Sequence, residues 1–290
     1  MLNDWHALGS VQYRKWHVYD MAWGKDMALE NFLVSGAPFG GPLALFPDVK
    51  RLMAQSNGQE SSNLKLQIYT SAGVLLSEFE WTDRPIIAMG WTLSETLVTV
   101  TDQGWVRIYT LYCKVVLEFQ LLAISDIGPI LECHFWSNGL AAMTSNNVIK
   151  VAEGLSSSDI EANMPRIYKL DCKLNKSDSY TAMALVPPSL SKSNSLEVLI
   201  GTTGMTILTL HESGDGQQQE IEDQFLVQKL NSSHPLKISL SPDGSHVAIY
   251  RRDGVLTVMH ANFAEKVRWV LFALSVCVYV SLLCCAMCFD

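Results

Sequence analysis

The stretch Leu97-Val98-Thr99-Val100-Thr101-Asp102-Gln103-Gly104-Trp105-Val106-Arg107-Ile108-Tyr109 reads as two short strands folded back on each other. In Leu97–Val100 and in Val106–Tyr109, period-2 alternation turns one apolar side chain in two toward a core. Between the runs lies Thr101-Asp102-Gln103-Gly104, a turn whose glycine tolerates positive φ, so the unit is a β-hairpin.

The same grammar returns along the chain. Val247–Tyr250 passes through Arg251-Arg252-Asp253-Gly254 into Val255–Val258, with Gly254 in the place of Gly104. Weaker copies turn at Asn146-Asn147, between Leu140–Met143 and Val148–Val151, and at Thr202-Thr203-Gly204, between Leu196–Ile200 and Met205–Leu210. An earlier copy joins Leu64–Tyr69 to Val74–Phe79 through Ser71-Ala72-Gly73. Counting on Gly104, Asn147, Gly204 and Gly254, the turns are 43, 57 and 50 residues apart. A propeller blade takes about 40–50 residues, so the spacing predicts an all-β fold of WD40-like blades in an incomplete ring. A β-sandwich of irregular strands is the rival architecture. Polar stretches at 55–63, 155–161, 189–195 and 211–223 read as exposed connections between units.

Composition agrees with a folded chain. Of 290 residues, 48% are hydrophobic and 17% charged, which excludes a disordered tether. A net charge of −8 excludes a nucleic-acid binder, which needs a basic face against phosphates. The mean hydropathy of +0.14 owes its excess to 269–289, 21 residues without a charge. As a helix that run would reach about 30 Å, and Lys266 and Arg268 stand just before it. The expected organisation is a β-propeller region over 1–266 followed by a hydrophobic segment, 269–289, that is either a transmembrane helix or an aberrant tail.

Chemistry-bearing motifs are scarce. The chain has no Gly-x-Ser-x-Gly, His-Glu-x-x-His, phosphate-loop or Gly-x-Gly-x-x-Gly pattern. The seven histidines (His6, His17, His134, His211, His234, His246 and His260) lack metal-ligand spacing. The acidic stretch with Glu212, Asp215, Glu220, Glu222 and Asp223 does not follow a calcium loop and reads as solvated. Cys284-Cys285-x-x-Cys288 has no second pair to complete a zinc site, and Cys113, Cys133 and Cys172 read as small core residues. No secretory signal opens the chain, so the cysteines are expected free and the sequons at Asn175 and Asn231 without consequence. Gly36-Ala37-Pro38-Phe39-Gly40-Gly41-Pro42 reads as a structural turn approaching another backbone, since two prolines remove amides a phosphate cradle would use. The chain is therefore expected to be no enzyme, with no catalytic, cofactor-binding or metal-binding residue and no cofactor.

Five strings carry a resemblance. Tyr13-Arg14-Lys15-Trp16-His17-Val18-Tyr19-Asp20-Met21-Ala22-Trp23, Ala37-Pro38-Phe39-Gly40-Gly41-Pro42-Leu43-Ala44-Leu45, Ile68–Glu78, Phe135-Trp136-Ser137-Asn138-Gly139 and Ser241-Pro242-Asp243-Gly244 resemble the N-terminal region of the vacuolar protein sorting-associated protein 16 family, over about residues 5–266. The resemblance implies a non-catalytic subunit of the HOPS and CORVET vesicle-tethering complexes. Such a subunit serves intracellular protein transport and endosome-to-vacuole or lysosome fusion from the cytoplasmic face of those membranes. It implies other tethering subunits as partners. The family's Sec1/Munc18-type docking site belongs to a helical solenoid of which these 290 residues hold nothing, so that site is expected to be absent. The alternative is a single-pass, tail-anchored propeller acting as an independent membrane scaffold or receptor.

Overall fold

The computed structural model describes residues 5–14, 20–24, 27–55, 64–123, 128–156, 164–170, 177–191, 193–211, 233–261 and 266–269. These divide into two compact units, Met1–Thr82 with Leu111–Cys113, and Asp83–Thr110 with Lys114–Asp290.

The first unit carries a hairpin, β1 (Trp5–Leu8) with β2 (Val11–Arg14), and one four-stranded sheet in the order β3 (Phe32–Gly36), β4 (Leu43–Pro47), β5 (Lys65–Tyr69), β6 (Leu75–Glu80). Ala44, Leu45 and Phe46 on β4 and Leu66 and Ile68 on β5 are fully buried. Phe46 meets Trp81 edge-on at 5.7 Å, and Trp23 packs 5.2 Å from Tyr69 while its Nε1–H donates to the Ser71 carbonyl at 3.1 Å. A seven-residue helix, α1 (Val49–Gln55), follows β4; Asp48 Oδ1 caps it by accepting from the amides of Lys50 and Arg51.

The second unit is a run of antiparallel meanders. Its sheets are β7 (Ile86–Trp91) to β10 (Val115–Gln120), β11 (Ile130–Trp136) to β14 (Arg166–Leu170), β15 (Tyr180–Val186) to β17 (Ile207–His211), and β18 (Pro235–Leu240) to β21 (Lys266–Trp269). The first strands, β7, β11, β15 and β18, touch one another in chain order. The hairpins read from the sequence are the second and third strands of their sheets: β8 (Leu97–Thr101) with β9 (Trp105–Tyr109), β12 (Gly139–Thr144) with β13 (Ile149–Glu153), β16 (Glu197–Thr202) with β17, and β19 (His246–Arg251) with β20 (Leu256–His260).

One-sided burial does not hold for the second strands. Every residue of β8 and of β12 is buried. The alternation survives in a different sense. Leu140 and Ala142 pack toward the preceding sheet with Val98, Val100, Val106 and Ile108, whereas Ala141 and Met143 pack toward the following one with Met183, Val198 and Ile200. Further on, Ala182, Ala184 and Leu199 join Ile238, Val247 and Ile249. A sheet stacked between two others has no solvent face at its middle strands, so both parities read apolar. The core of this unit thus lies between successive sheets.

Of the polar connections, 189–191 and 193–195 form the ordered link from β15 to β16; most of 55–63, 155–161 and 211–223 lies outside the described residues. Strand β21 pairs with β20 from Met259↔Lys266 to Leu256↔Trp269, so Trp269 and the two basic residues ahead of it belong to a sheet. Residues 270–289, on which the reading as a membrane helix or aberrant tail rests, lie outside the described residues. Among the described residues no helix is long and apolar enough to cross a membrane.

Candidate interaction surfaces

The first strands of the four sheets share an irregularity. Register slips between Ile86 and Ala88 on β7, Ile130 and Glu132 on β11, Tyr180 and Ala182 on β15, and Pro235 and Lys237 on β18. Each slip is a bulge one residue into the strand, and a bulge re-aims the side chain that follows it. Glu132 and Lys237 hold that place. Lys237 Nζ donates to Glu132 Oε1 at 2.7 Å, the Met183 amide on β15 donates to Glu132 Oε2 at 2.7 Å, and His134 Nε2 stands 3.5 Å from the same oxygen. One carboxylate therefore ties three first strands. Burial works to raise its pKa, but the His134 contact and the Lys237 ammonium outweigh burial and hold it below the usual carboxylate range. A charge so fully paired braces the unit rather than acting as an acid or base.

A second feature is a cleft of about 550 Å³ between the β11–β14 and β15–β17 sheets. Trp136, Asn138, Glu153, Arg166 and Tyr168 form one wall, and Ser189, Asn194 and Ser195 stand on the other. Tyr168 Oη donates to Glu153 Oε1 at 2.8 Å; the Arg166 guanidinium lies 4.8 Å above the Tyr168 ring and 3.7 Å from Glu153 Oε2. On the far wall, hydroxyls of the β15–β16 loop converge on Glu197. Ser191 and Ser193 lie 2.5 and 2.8 Å from its Oε1, and Ser195 Oγ is 2.8 Å from Ser193 Oγ.

The Gly36–Pro42 string joins β3 to β4 as a turn, closed by Ala37 N–H to the Pro42 carbonyl at 2.8 Å and Gly41 N–H to Pro38 at 3.2 Å. At Gly36 and Gly40 the turn leaves room and does not press on another backbone. A Cβ on Gly36 would meet only a Leu43 methyl at 3.6 Å, and one on Gly40 would meet nothing within 4 Å. Gly40 is there for its φ of 73°, next to Phe39 at φ 60°, whose side chain is 97% exposed.

Two of the described histidines pack on each other and His6 packs elsewhere. His6 packs on Tyr13, His246 packs 4.5 Å from His260 across β19 and β20, and His17 lies outside the described residues. Among the described residues no three His, Cys, Asp or Glu side chains are grouped to hold a metal ion. Cys113 and Cys133 are free thiols whose pKa values burial raises. Cys172, the four cysteines of 277–288, and Glu212, Asp215, Glu220, Glu222 and Asp223 lie outside the described residues. In Ser241-Pro242-Asp243-Gly244, hydroxyls of Ser241 and Ser245 donate to Asp243 and hold its carboxyl well below the usual range, a turn-stabilising role. Sequence reading passed over the Glu132–Lys237 tie, whose members are 105 residues apart, and the serine loop, which its polarity marked only as a connection.

Sheets of this topology, stacked through their first strands, define a β-propeller. The β-propeller domain of Myceliophteria thermophila Cps50 (Swd1) superposes with a TM-score of 0.51 at 13% identity, over 78% of this chain and 64% of that one. Residues 1–271 match the family described as Vps16, N-terminal region, and the chain belongs to that family. It is 27% identical over 263 residues to a vacuolar protein sorting-associated protein 16 homolog of Dictyostelium discoideum, covering 89% of this chain and 29% of the relative. It is 25% identical over 273 residues to Protein VACUOLELESS1 of Arabidopsis thaliana, covering 88% and 30%. The chain spans about 30% of the length of the curated relatives it matches.

Proposed function

We propose that this chain is a non-catalytic, protein-binding module of a HOPS- or CORVET-type tethering complex. In this reading it acts in endosome-to-vacuole transport at the cytoplasmic face of those membranes and associates with them peripherally through other subunits. The match of residues 1–271 to the Vps16 N-terminal family carries the reading. Its chemistry is consistent: Glu132, the carboxylate that joins three first strands, is neutralised by Lys237. Stacked sheets offer broad rigid faces, the form a scaffold needs. No residue for a Sec1/Munc18-type partner is assigned to this chain.

The test is affinity capture of the tagged 290-residue chain from cells, with quantitative mass spectrometry. Enrichment of several tethering subunits in stoichiometric ratio is expected. Recovery of none, under conditions where a full-length relative recovers them, would overturn the proposal.

A further inference from the structure

We propose that residues 270–289 fold back over the outer face of the last sheet, β18 to β21, and close the stack there in place of a further blade. The middle strands of that sheet send alternate side chains to its two faces. Val247, Ile249 and Met259 point toward β15–β17 and pack with Ala182, Ala184 and Leu199. The opposite face carries Ala248, Tyr250, Leu256 and Val258, set side by side by the pairs Ala248↔Val258 and Tyr250↔Leu256. Its centre is dry: Leu256 is 2%, Ala248 3% and Val258 8% exposed. Among the described residues this cluster draws only on β19 and β20. Two short strands lying side by side cannot shield their own face from water, so a further layer covers it.

Position, chemistry and length all point to 270–289 as that layer. β21 is the outer strand of this sheet, and the segment continues directly from its last residue, Trp269. From Val270 to Phe289 there is no charge, and Val276-Cys277-Val278-Tyr279-Val280 is made of residues that suit packing on a pleated surface. The connection 212–232 follows the preceding sheet instead, and an apolar face would strip water from its Glu212, Asp215, Glu220, Glu222 and Asp223. Four strands about 4.8 Å apart make a face roughly 15 Å wide. The 20 residues of 270–289 reach about 30 Å even as a helix, enough to cross it. An unbroken apolar run in this fold marks burial between layers, as β12 shows by being buried at every residue. The same property that makes the segment resemble a bilayer span therefore fits it to the open side of the last sheet.

The experiment puts a photo-reactive probe on this face in the full 290-residue chain, as Tyr250→p-benzoylphenylalanine and, separately, His260→p-benzoylphenylalanine. His260 pairs with His246 on the same face and, like Tyr250, is half-buried. Leu131→p-benzoylphenylalanine, at an exposed position on β11, is the control. After irradiation and digestion, mass spectrometry reads the peptide that each probe has joined. Links from both face positions into 270–289 of the same chain are expected, and none from Leu131. A product of twice the chain's mass would put a second copy on the face and overturn the proposal. Links into 212–232 or any other stretch, equal yields from Leu131, or no link at all would overturn it too. A second arm synthesises the probe variants in the presence of phosphatidylcholine vesicles, which are then floated on a density gradient. The chain should stay below the vesicles with its links unchanged. Flotation with loss of the links would make 270–289 a membrane segment and sink the proposal.

Discussion

The turn that closes β8 onto β9 and the turn that closes β16 onto β17 share a backbone and differ at its tightest point. Gly104 N–H donates to the Thr101 carbonyl at 3.0 Å with φ 80°; Met205 N–H donates to the Thr202 carbonyl at 3.1 Å with φ 60°. Gly73, Asn147 and Gly254 hold the same place in the other sheets, at φ 90°, 58° and 79°. The spacing read from the sequence therefore needs one correction: the fourth sheet's turn centres on Met205, and Gly204 precedes it. What the turns share more widely is a threonine. The hydroxyls of Thr70, Thr101, Thr144 and Thr202 each accept the amide four residues on, those of Val74, Trp105, Val148 and Thr206. Only in the fifth sheet does another residue, Arg251, take that place. Glycine lowers the cost of the left-handed residue, while the threonine hydroxyl satisfies the amide that the turn leaves unpaired.

Gly104→Ala should cost the most. A Cβ there would stand 2.7 Å from Leu122 Cγ, and Leu122 is 1% exposed and cannot withdraw. Left-handed strain of about 1 kcal/mol adds to overpacking of about 2, so the loss should be about 3 kcal/mol. Thermal unfolding would show this as a fall of about 6–12 °C. A fall no larger than that for Gly254→Ala would mean that close packing at Gly104 does not matter.

Thr144→Val tests the hydroxyl. Thr144 is fully buried, and its Oγ1 accepts from the Val148 amide at 3.3 Å. The isosteric change leaves a buried N–H without that acceptor, a loss of about 2 kcal/mol in urea unfolding. An unchanged midpoint would show that the backbone bond from Thr144 N–H to the Val148 carbonyl suffices by itself.

Gly254→Ala isolates conformation from packing. Its φ of 79° matches Gly104, yet a Cβ there meets nothing within 4 Å. Strain alone should cost about 1 kcal/mol. A loss as large as that of Gly104→Ala would put the whole penalty in the backbone.

The hairpins were legible because alternation and a turn residue fall within 13 consecutive positions, as in 97–109. The two-sided burial of Leu140–Met143 was not, since an apolar run says nothing of how many sheets face it. Glycine was the visible mark of four of the five turns, with Asn147 marking the other, and Met205 shows why glycine misleads: the hydrogen bonds of Thr202 fix the turn, and a residue at moderate strain can sit in it. Neither β1 and β2 nor α1 announced itself, being only four to seven residues long. The candidate surfaces were hidden for a different reason. Glu132 meets Lys237, and Arg166 faces Ser195, through sheet stacking rather than local spacing.

Met205→Gly completes the comparison with the smallest effect. Glycine relieves about 1 kcal/mol of left-handed strain at φ 60°. Against that, it raises the entropy of the unfolded chain by about 0.5–1 kcal/mol, and it gives up the apolar contact of a side chain that is 38% exposed. The opposing terms should leave stability within about 0.5 kcal/mol of the parent, a thermal shift under about 2 °C. That near-neutrality is the reason a methionine can stand here at all, because selection sees no difference worth repairing. A gain above about 1 kcal/mol would mean that Met205 carries strain the fold does not need, and the reason for its presence would then lie in what its exposed side chain touches.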